Sequence, residues 1–250
     1  MCFYFLISIK GGFSYSLSDH RLLTQLAIAQ FEKCVDQKIT ADRALEMYRG
    51  NFEEDMNLYR KWFSYSHYYH PEKKIDMWRW SSQDRILNLE EYLFSSFKNT
   101  TDEAHQYFVL GGALHHLQDM ASPPHVVPVT HDLRDGFEDY EISLKDLNES
   151  FKSDPCHFIK DSADIDSLSK IHQSMAEETL KSARSVVPGS VNLVPMLIAW
   201  EAFWAESSER AFGSYGYLGN VFGKTKILYH EFTYEIKEED YKKFKTDLMK

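Results

Sequence analysis

The stretch LGGALHHLQDMASPPH, Leu110 to His125, decides how this chain is read. Thr100 and Glu103 stand upstream at capping-box spacing, where hydroxyl and carboxylate satisfy each other's orphan N–H groups at a helix start. The run HQYFVLGGALHHLQDMA that follows reads as a helix. Pro123 and Pro124 end it, because proline lacks the N–H and disfavours helical backbone in the residue before it. On such a helix His115 and Asp119 are four apart and share one face, the geometry by which a helix offers two ligands to one cation. His125, beyond the break, can turn back toward the same pocket. The alternative is a buried helix with chance imidazoles.

Working outward, the rest of the chain supplies matching chemistry. NFEEDMN contains Glu53, Glu54 and Asp55, WFSYSHYYHP contains His67 and His70, and SDHRLL puts His20 at a helix start. Downstream lie His131, Asp132, Asp135, Glu138, Asp139 and Glu141. Zinc takes imidazole nitrogen and carboxylate oxygen at about 2.0–2.2 Å, and clusters rich in both point to a metal site.

The helical pattern extends along most of the chain. Asp19 or Ser18 caps a helix bearing Leu22, Leu23 and Leu26. Thr40 starts ADRALEMYR with Gly50 as its stop, and Ser82 precedes DRILNLEEYLFSSF. Further helices are expected at about 137–152, 163–185 and 193–212, with loops at SDPCHF and VVPGSV. After Gly213 the character changes: GSYGYLGNVFG reads as loop, KILYHEFTYEI as strand and EEDYKKFKTDLMK as a charged helix. The expectation is an all-α domain over residues 13–212, a possible signal remnant at 1–12 and a short mixed tail at 213–250. The apolar opening MCFYFLISIK reads either as a degraded secretory signal or as a buried strand or helix start. Val194, Met196, Leu197, Ala199, Trp200, Phe203 and Trp204 form a stripe read as core packing, with an amphipathic membrane-contacting face as the alternative.

With 250 residues, 43% of them hydrophobic, the chain can bury a sizeable core. A net charge of −10 argues against nucleic-acid binding through a basic surface, although bound cations could still hold a phosphate. Cys2, Cys34 and Cys156 allow at most one internal bridge. No P-loop, Rossmann glycine pattern or CxxC is present in the sequence.

The series Gly111, His115, Asp119, Pro123, His125 resembles the signature of the zinc-dependent phospholipase C family and of the related fungal single-strand-specific nucleases. SHYYHP is similar to the stretch that carries another family ligand, and SDHRLLTQLAI to the family's first helix. The likeness covers about residues 13 to 145, and more weakly the helices to about 212.

It implies an all-helical fold holding up to three zinc ions. Asp55, His67, His115 and Asp119 would hold the first. Asp119 would bridge to a second, shared with His20 and a processed N-terminal residue, for which Phe13 is the nearest candidate. His125, His131 and Glu138 would hold the third, with Glu141 in reserve. The implied reaction is phosphoester hydrolysis, with hydroxide formed on the metals attacking phosphorus. Asp119 would be the bridge, and Asp55 would orient the attacking water. Tyr65, Tyr68 and Tyr69 are candidate substrate contacts, by cation–π contact with choline or by stacking, or else core packing. A phospholipid headgroup or other small phosphoester is the expected substrate, with transient membrane-surface contact. A nucleic acid is less favoured by the charge, and no protein partner is evident. Secretion or a periplasmic location is expected. The alternatives are a single-strand nuclease of the same fold and a non-catalytic zinc-binding protein. His116 lies about 100° round the helix from His115 and is expected to miss the metal, while His70 is expected at the cleft edge.

Overall fold

The computed structural model describes residues 17–57, 66–74, 81–99, 102–131, 135–150, 156, 167–209 and 211–249. Eight helices and six strands are found among them, so the all-α expectation is corrected to a helical body joined to an antiparallel sheet. The helices are α1 (Leu17–Val35), α2 (Ala41–Met56), α3 (Ser82–Asn99), α4 (Glu103–Asp119), α5 (Pro123–Val126), α6 (Leu144–Ser150), α7 (Leu168–Ala183) and α8 (Glu238–Leu248). The strands are β1 (Val186–Val191), β2 (Val194–Ala199), β3 (Trp204–Ala205), β4 (Ser214–Tyr215), β5 (Lys226–Tyr229) and β6 (Phe232–Ile236).

Local chemistry accounts for the helix ends. The Thr40 hydroxyl accepts from Arg43 N at the start of α2. Asp102, rather than Thr100, caps α4 by accepting from His105 N at 3.0 Å. Gly50 does not stop α2, which continues to Met56. The glycine is there for packing: a Cβ on Gly50 would stand 1.8 Å from Phe108 O, and one on Gly111 2.0 Å from Met47 O. The two helices therefore cross backbone against backbone, and this crossing brings Asp55 and His115 into one neighbourhood. Ile86, Leu89, Leu93, Val109 and Ala113 form a small core between α3 and α4.

The expected helix over 193–212 is instead β2, a 3-10 turn at Trp200–Ala202, and β3. A short apolar run does not by itself separate a helix from a buried strand. VVPGSV, expected as loop, is β1, which pairs with β2 from Val186↔Ala199 to Val191↔Val194. Asn192 and Leu193 close this hairpin with φ of 49° and 66°, the two positive values that a type I′ turn requires. Leucine at the second position hid the turn from a reading that looks for glycine there. KILYHEFTYEI is a hairpin of β5 and β6 rather than one strand, turned at His230 with φ 52°. The sheet order is β2-β1-β6-β5. Pro188 is tolerated in β1 because β6 pairs only with Gly189–Val191.

Of the expected 137–152 helix, residues 144–150 are helical, as α6, residues 137–143 are not, and 151–152 lie outside the described residues. The stripe from Val194 splits accordingly. Trp200, Phe203 and Trp204 are buried and join Phe137, Phe222, Tyr241 and Phe244 in an aromatic core, while Val194, Met196 and Leu197 are exposed. Cys34 at the end of α1 is disulfide-bonded to Cys156. No helix among the described residues is long and apolar enough to cross a membrane.

Candidate metal centre

Eight of the side chains singled out by the sequence meet in three groups: His20, Asp55 and His115; His67, His115 and Asp119; and His125, His131 and Glu138. Within each group the offered nitrogen and oxygen atoms lie within 4.8 Å of one another. The first two groups stand mainly on helices. His20 is in the first turn of α1, Asp55 in the last turn of α2, Asp119 at the end of α4 and His115 one turn before it. His67 lies in a turn, at Ser66–His67. In the third group His125 belongs to the short α5, while His131 and Glu138 come from irregular chain.

Asp119 sits between the first two groups. Its Oδ2 lies 2.8 Å from His67 Nδ1 and 3.4 Å from His115 Nε2, and its Oδ1 lies 3.5 Å from His20 Nε2. Its two oxygens thus face different imidazoles. Burial alone would raise the Asp119 pKa, but the neighbouring His115, His125 and His67 outweigh it and hold the carboxyl well below its usual range. His115 is held well below the ordinary histidine value, first by burial and then by the nearby rings of His20, His67 and His116, against the opposing pull of Asp119. A neutral ring beside an ionised carboxylate is the ligand form of both groups.

The third group has the opposite balance. His125 Nε2 lies 3.0 Å from Glu138 Oε1, and His131 Nε2 3.2 Å from Glu138 Oε2. Burial disfavours charge on His131, yet Glu138 outweighs it and holds His131 at about 9. His125 is also raised, against its burial, by Asp119 and Glu138. A cation entering here has to displace those protons.

Four of the five rings are aimed in the same way. His20 Nδ1 meets Gln118 Oε1 at 2.7 Å, His115 Nδ1 meets Asn51 Oδ1 at 3.4 Å, His125 Nδ1 meets His67 O at 2.8 Å, and His131 Nδ1 meets Val129 O at 2.8 Å. A carbonyl oxygen only accepts, so each Nδ1 carries the proton and each Nε2 points at its group. The amide orientations are themselves determined. Thr24 Oγ1 donates to His20 O at 2.9 Å, so it accepts from Asn51 Nδ2 at 3.2 Å and Gln118 Nε2 at 3.1 Å. Both amide oxygens are thereby turned to the rings. The sequence reading missed Thr24, Asn51 and Gln118. A signal was available: Thr24 follows His20 by four and Asn51 precedes Asp55 by four, so each shares a helix face with a candidate ligand.

The donor set fits zinc. His67 Nε2 and Asp119 Oδ1 are buried and make no hydrogen bond, and leaving a buried polar atom unsatisfied costs about 1–3 kcal/mol. A cation shared by these groups would remove that cost.

The remaining candidates sit as follows. His116 stays outside the three groups. Its Nε2 lies 3.3 Å from Glu54 Oε2, and Ser82 Oγ lies 3.2 Å from its Nδ1 and 2.8 Å from His172 Nε2. Burial pushes His172 down to about 3. His70, expected at the cleft edge, is buried against Glu206 at 3.2 Å. Tyr68 is buried with its ring stacked 5.2 Å from that of His125, and the Tyr69 ring lies 5.1 Å from His172. Glu141 is exposed and belongs to none of the groups. Tyr65, Asp132 and Phe13 lie outside the described residues.

The chain matches no protein-family model, no curated protein and no solved structure in the three comparisons made.

Proposed function

We propose that the chain is a zinc-dependent phosphoester hydrolase, similar in its chemistry to the zinc-dependent phospholipases C. The observation that carries this reading is the convergence of five histidines and three carboxylates in three adjoining buried groups, with Asp119 facing two of them. Zinc held there would supply the positive charge that neutralises phosphoryl oxygens and acidifies water. The chain's own residues do the rest. Asp119 ties the first two groups together, and its lowered pKa keeps it an acceptor at neutral pH. Asp55, beside His20 and His115, orients the attacking water. The amide oxygens of Asn51 and Gln118 take the Nδ1 side of His115 and His20 and leave Nε2 turned to the groups.

The substrate proposed is a phospholipid headgroup or another small phosphoester, because a net charge of −10 disfavours a polyanion. The Cys34–Cys156 disulfide supports an oxidising compartment, hence secretion or a periplasmic location. Near-complete burial of the ligand side chains favours one second reading, a zinc protein in which the metal serves folding alone.

Asp119→Asn tests both. The hydrolase reading expects loss of phosphatidylcholine hydrolysis to background and a lower zinc content. Unchanged hydrolysis would overturn the mechanism. Zinc binding by the wild type with no hydrolysis of phosphatidylcholine, other phosphodiesters or single-stranded DNA would establish the structural reading instead.

A further inference from the structure

The charged helix α8 carries a lysine that is wholly buried. Tyr241, Phe244 and Lys245 lie on one helical face, and that face packs into the core. Lys245 is 0% exposed, where a lysine is rarely found without strong compensation. Its Nζ donates to Phe137 O at 2.7 Å, to Glu138 O at 3.1 Å and to Tyr140 O at 2.7 Å. Three carbonyls thus take up the three donors of one ammonium. Asp19 Oδ2 lies 3.7 Å away, next in sequence to His20, and Asp135 and Glu138 contribute further negative charge.

The loop that Lys245 grips is the one that presents Glu138. Its N–H groups are satisfied separately. Asp135 Oδ1 accepts from Phe137 N at 2.8 Å and Glu138 N at 3.4 Å, and Asn220 Oδ1 accepts from Gly136 N at 2.5 Å. On the carbonyl side Asp135 O accepts from Asp139 N at 2.9 Å and Phe137 O from Tyr140 N at 3.3 Å, and the ammonium adds a shared donor to the Phe137, Glu138 and Tyr140 carbonyls. Phe137 and Glu138 are buried, and their backbone needs partners for both kinds of group. Neither a helix nor a ladder supplies them here.

We propose that Lys245 is a positioning residue for the third metal group: its ammonium gathers the 137–140 carbonyls so that Glu138 is held against His125 and His131, making zinc uptake at that group depend on α8. This rests on the reading of His125, His131 and Glu138 as a metal site. It gives the C-terminal helix, remote in sequence from every candidate ligand, a part in building the centre.

The test is zinc titration of the full chain against a chromophoric chelator, comparing wild type with Glu138→Gln, Lys245→Met and Phe244→Leu. Glu138→Gln is expected to lose one zinc equivalent. Lys245→Met is expected to weaken that same equivalent by about 10–100-fold, the range for partners that orient ligands, while the other equivalents titrate as in wild type. Phe244→Leu, which loosens the same helix without touching the ammonium, is expected to lower Tm but keep the wild-type titration; weakening of the same equivalent there would reduce Lys245 to a merely structural role and overturn the proposal. Lys245→Arg keeps a cation but replaces the tetrahedral donors by a planar fork; it is expected to show the same selective weakening and serves if Lys245→Met does not fold. Loss of an equivalent in Glu138→Gln with wild-type titration in the folded Lys245 variant would overturn the role of Lys245 alone. No loss in Glu138→Gln would overturn the metal reading of the group, and the proposal with it.

Discussion

The first two candidate metal groups and the third are assembled by different means. Asp55, His115 and Asp119 ride on α2 and α4, whose approach is fixed by backbone contact at Gly50 and Gly111, and His20 rides on α1. Their rings are aimed by Thr24, Asn51 and Gln118 from the same helices. Glu138 and His131 stand on irregular chain and are held by Asp135, Lys245 and the Val129 carbonyl. Helical ligands inherit their spacing from the 3.6-residue period, whereas loop ligands must be fastened one hydrogen bond at a time. The difference also appears in charge: His115 is held neutral, and His131 is held protonated by Glu138.

The contrast can be broken most forcefully at the helix crossing. Gly111→Ala puts a methyl 2.0 Å from Met47 O, a backbone atom that cannot rotate away. The expected loss is about 3 kcal/mol, the upper end of overpacking costs, read by chemical denaturation. Stability within about 0.5 kcal/mol of wild type would show that the crossing is looser than the geometry implies.

Removing metal should separate the two regions. Zinc at a hundredfold excess over its Kd adds about 2.7 kcal/mol, and a chelator removes it. Amide hydrogen exchange is expected to speed up around residues 135–140 while α4 stays protected. Equal loosening of both would contradict the distinction between helical and loop-built groups.

Gln118→Leu removes the oxygen that takes the His20 Nδ1 proton. Zinc affinity at the helical groups is expected to fall about 10–100-fold, with the third group unaffected, as read by competition titration. Full affinity would mean that the His20 tautomer is set by something other than the amide.

The smallest expected effect lies in the surface ion network that anchors the His67–His70 loop. Glu206 pairs with Arg184 at 2.6 Å and Lys73 at 2.9 Å, and mainly through Arg184 its pKa is lowered to about 2. A depressed carboxylate stabilises above its unfolded value, about 4.3, and that contribution is lost as pH falls toward 2. Glu206→Gln is therefore expected to lower stability at pH 7 by under about 1 kcal/mol and to match wild type near pH 2, in thermal melts across pH. A gap that widens toward acid would reverse the sign and refute the assignment.

Much of the centre was legible beforehand, for a physical reason. His115 and Asp119 share a face by helical period alone, and Pro123–Pro124 must break the helix before His125. The partners that aim the rings were not legible. Asn51, Gln118 and Thr24 are ordinary polar residues until three helices bring them within 3.2 Å of one another. Gly50 misled in the same way: glycine suggested a helix C-cap, and only the facing Phe108 carbonyl explains it. The hairpin of β1 and β2 was hidden because VPMLIA is apolar on both faces and its turn residues are Asn192–Leu193.

A family resemblance implied the wider set of candidate ligands; the sequence by itself determined that His115 and Asp119 lie one helical turn apart and where proline ends the helix that bears them. Those last two facts follow from local backbone geometry. Tertiary structure alone decided that the C-terminal segment pairs into a sheet and that Lys245, on a helix patterned as solvent-facing, is buried beneath Glu138. Burial of a charge depends on which carbonyls the rest of the chain brings to it, and no local period encodes that.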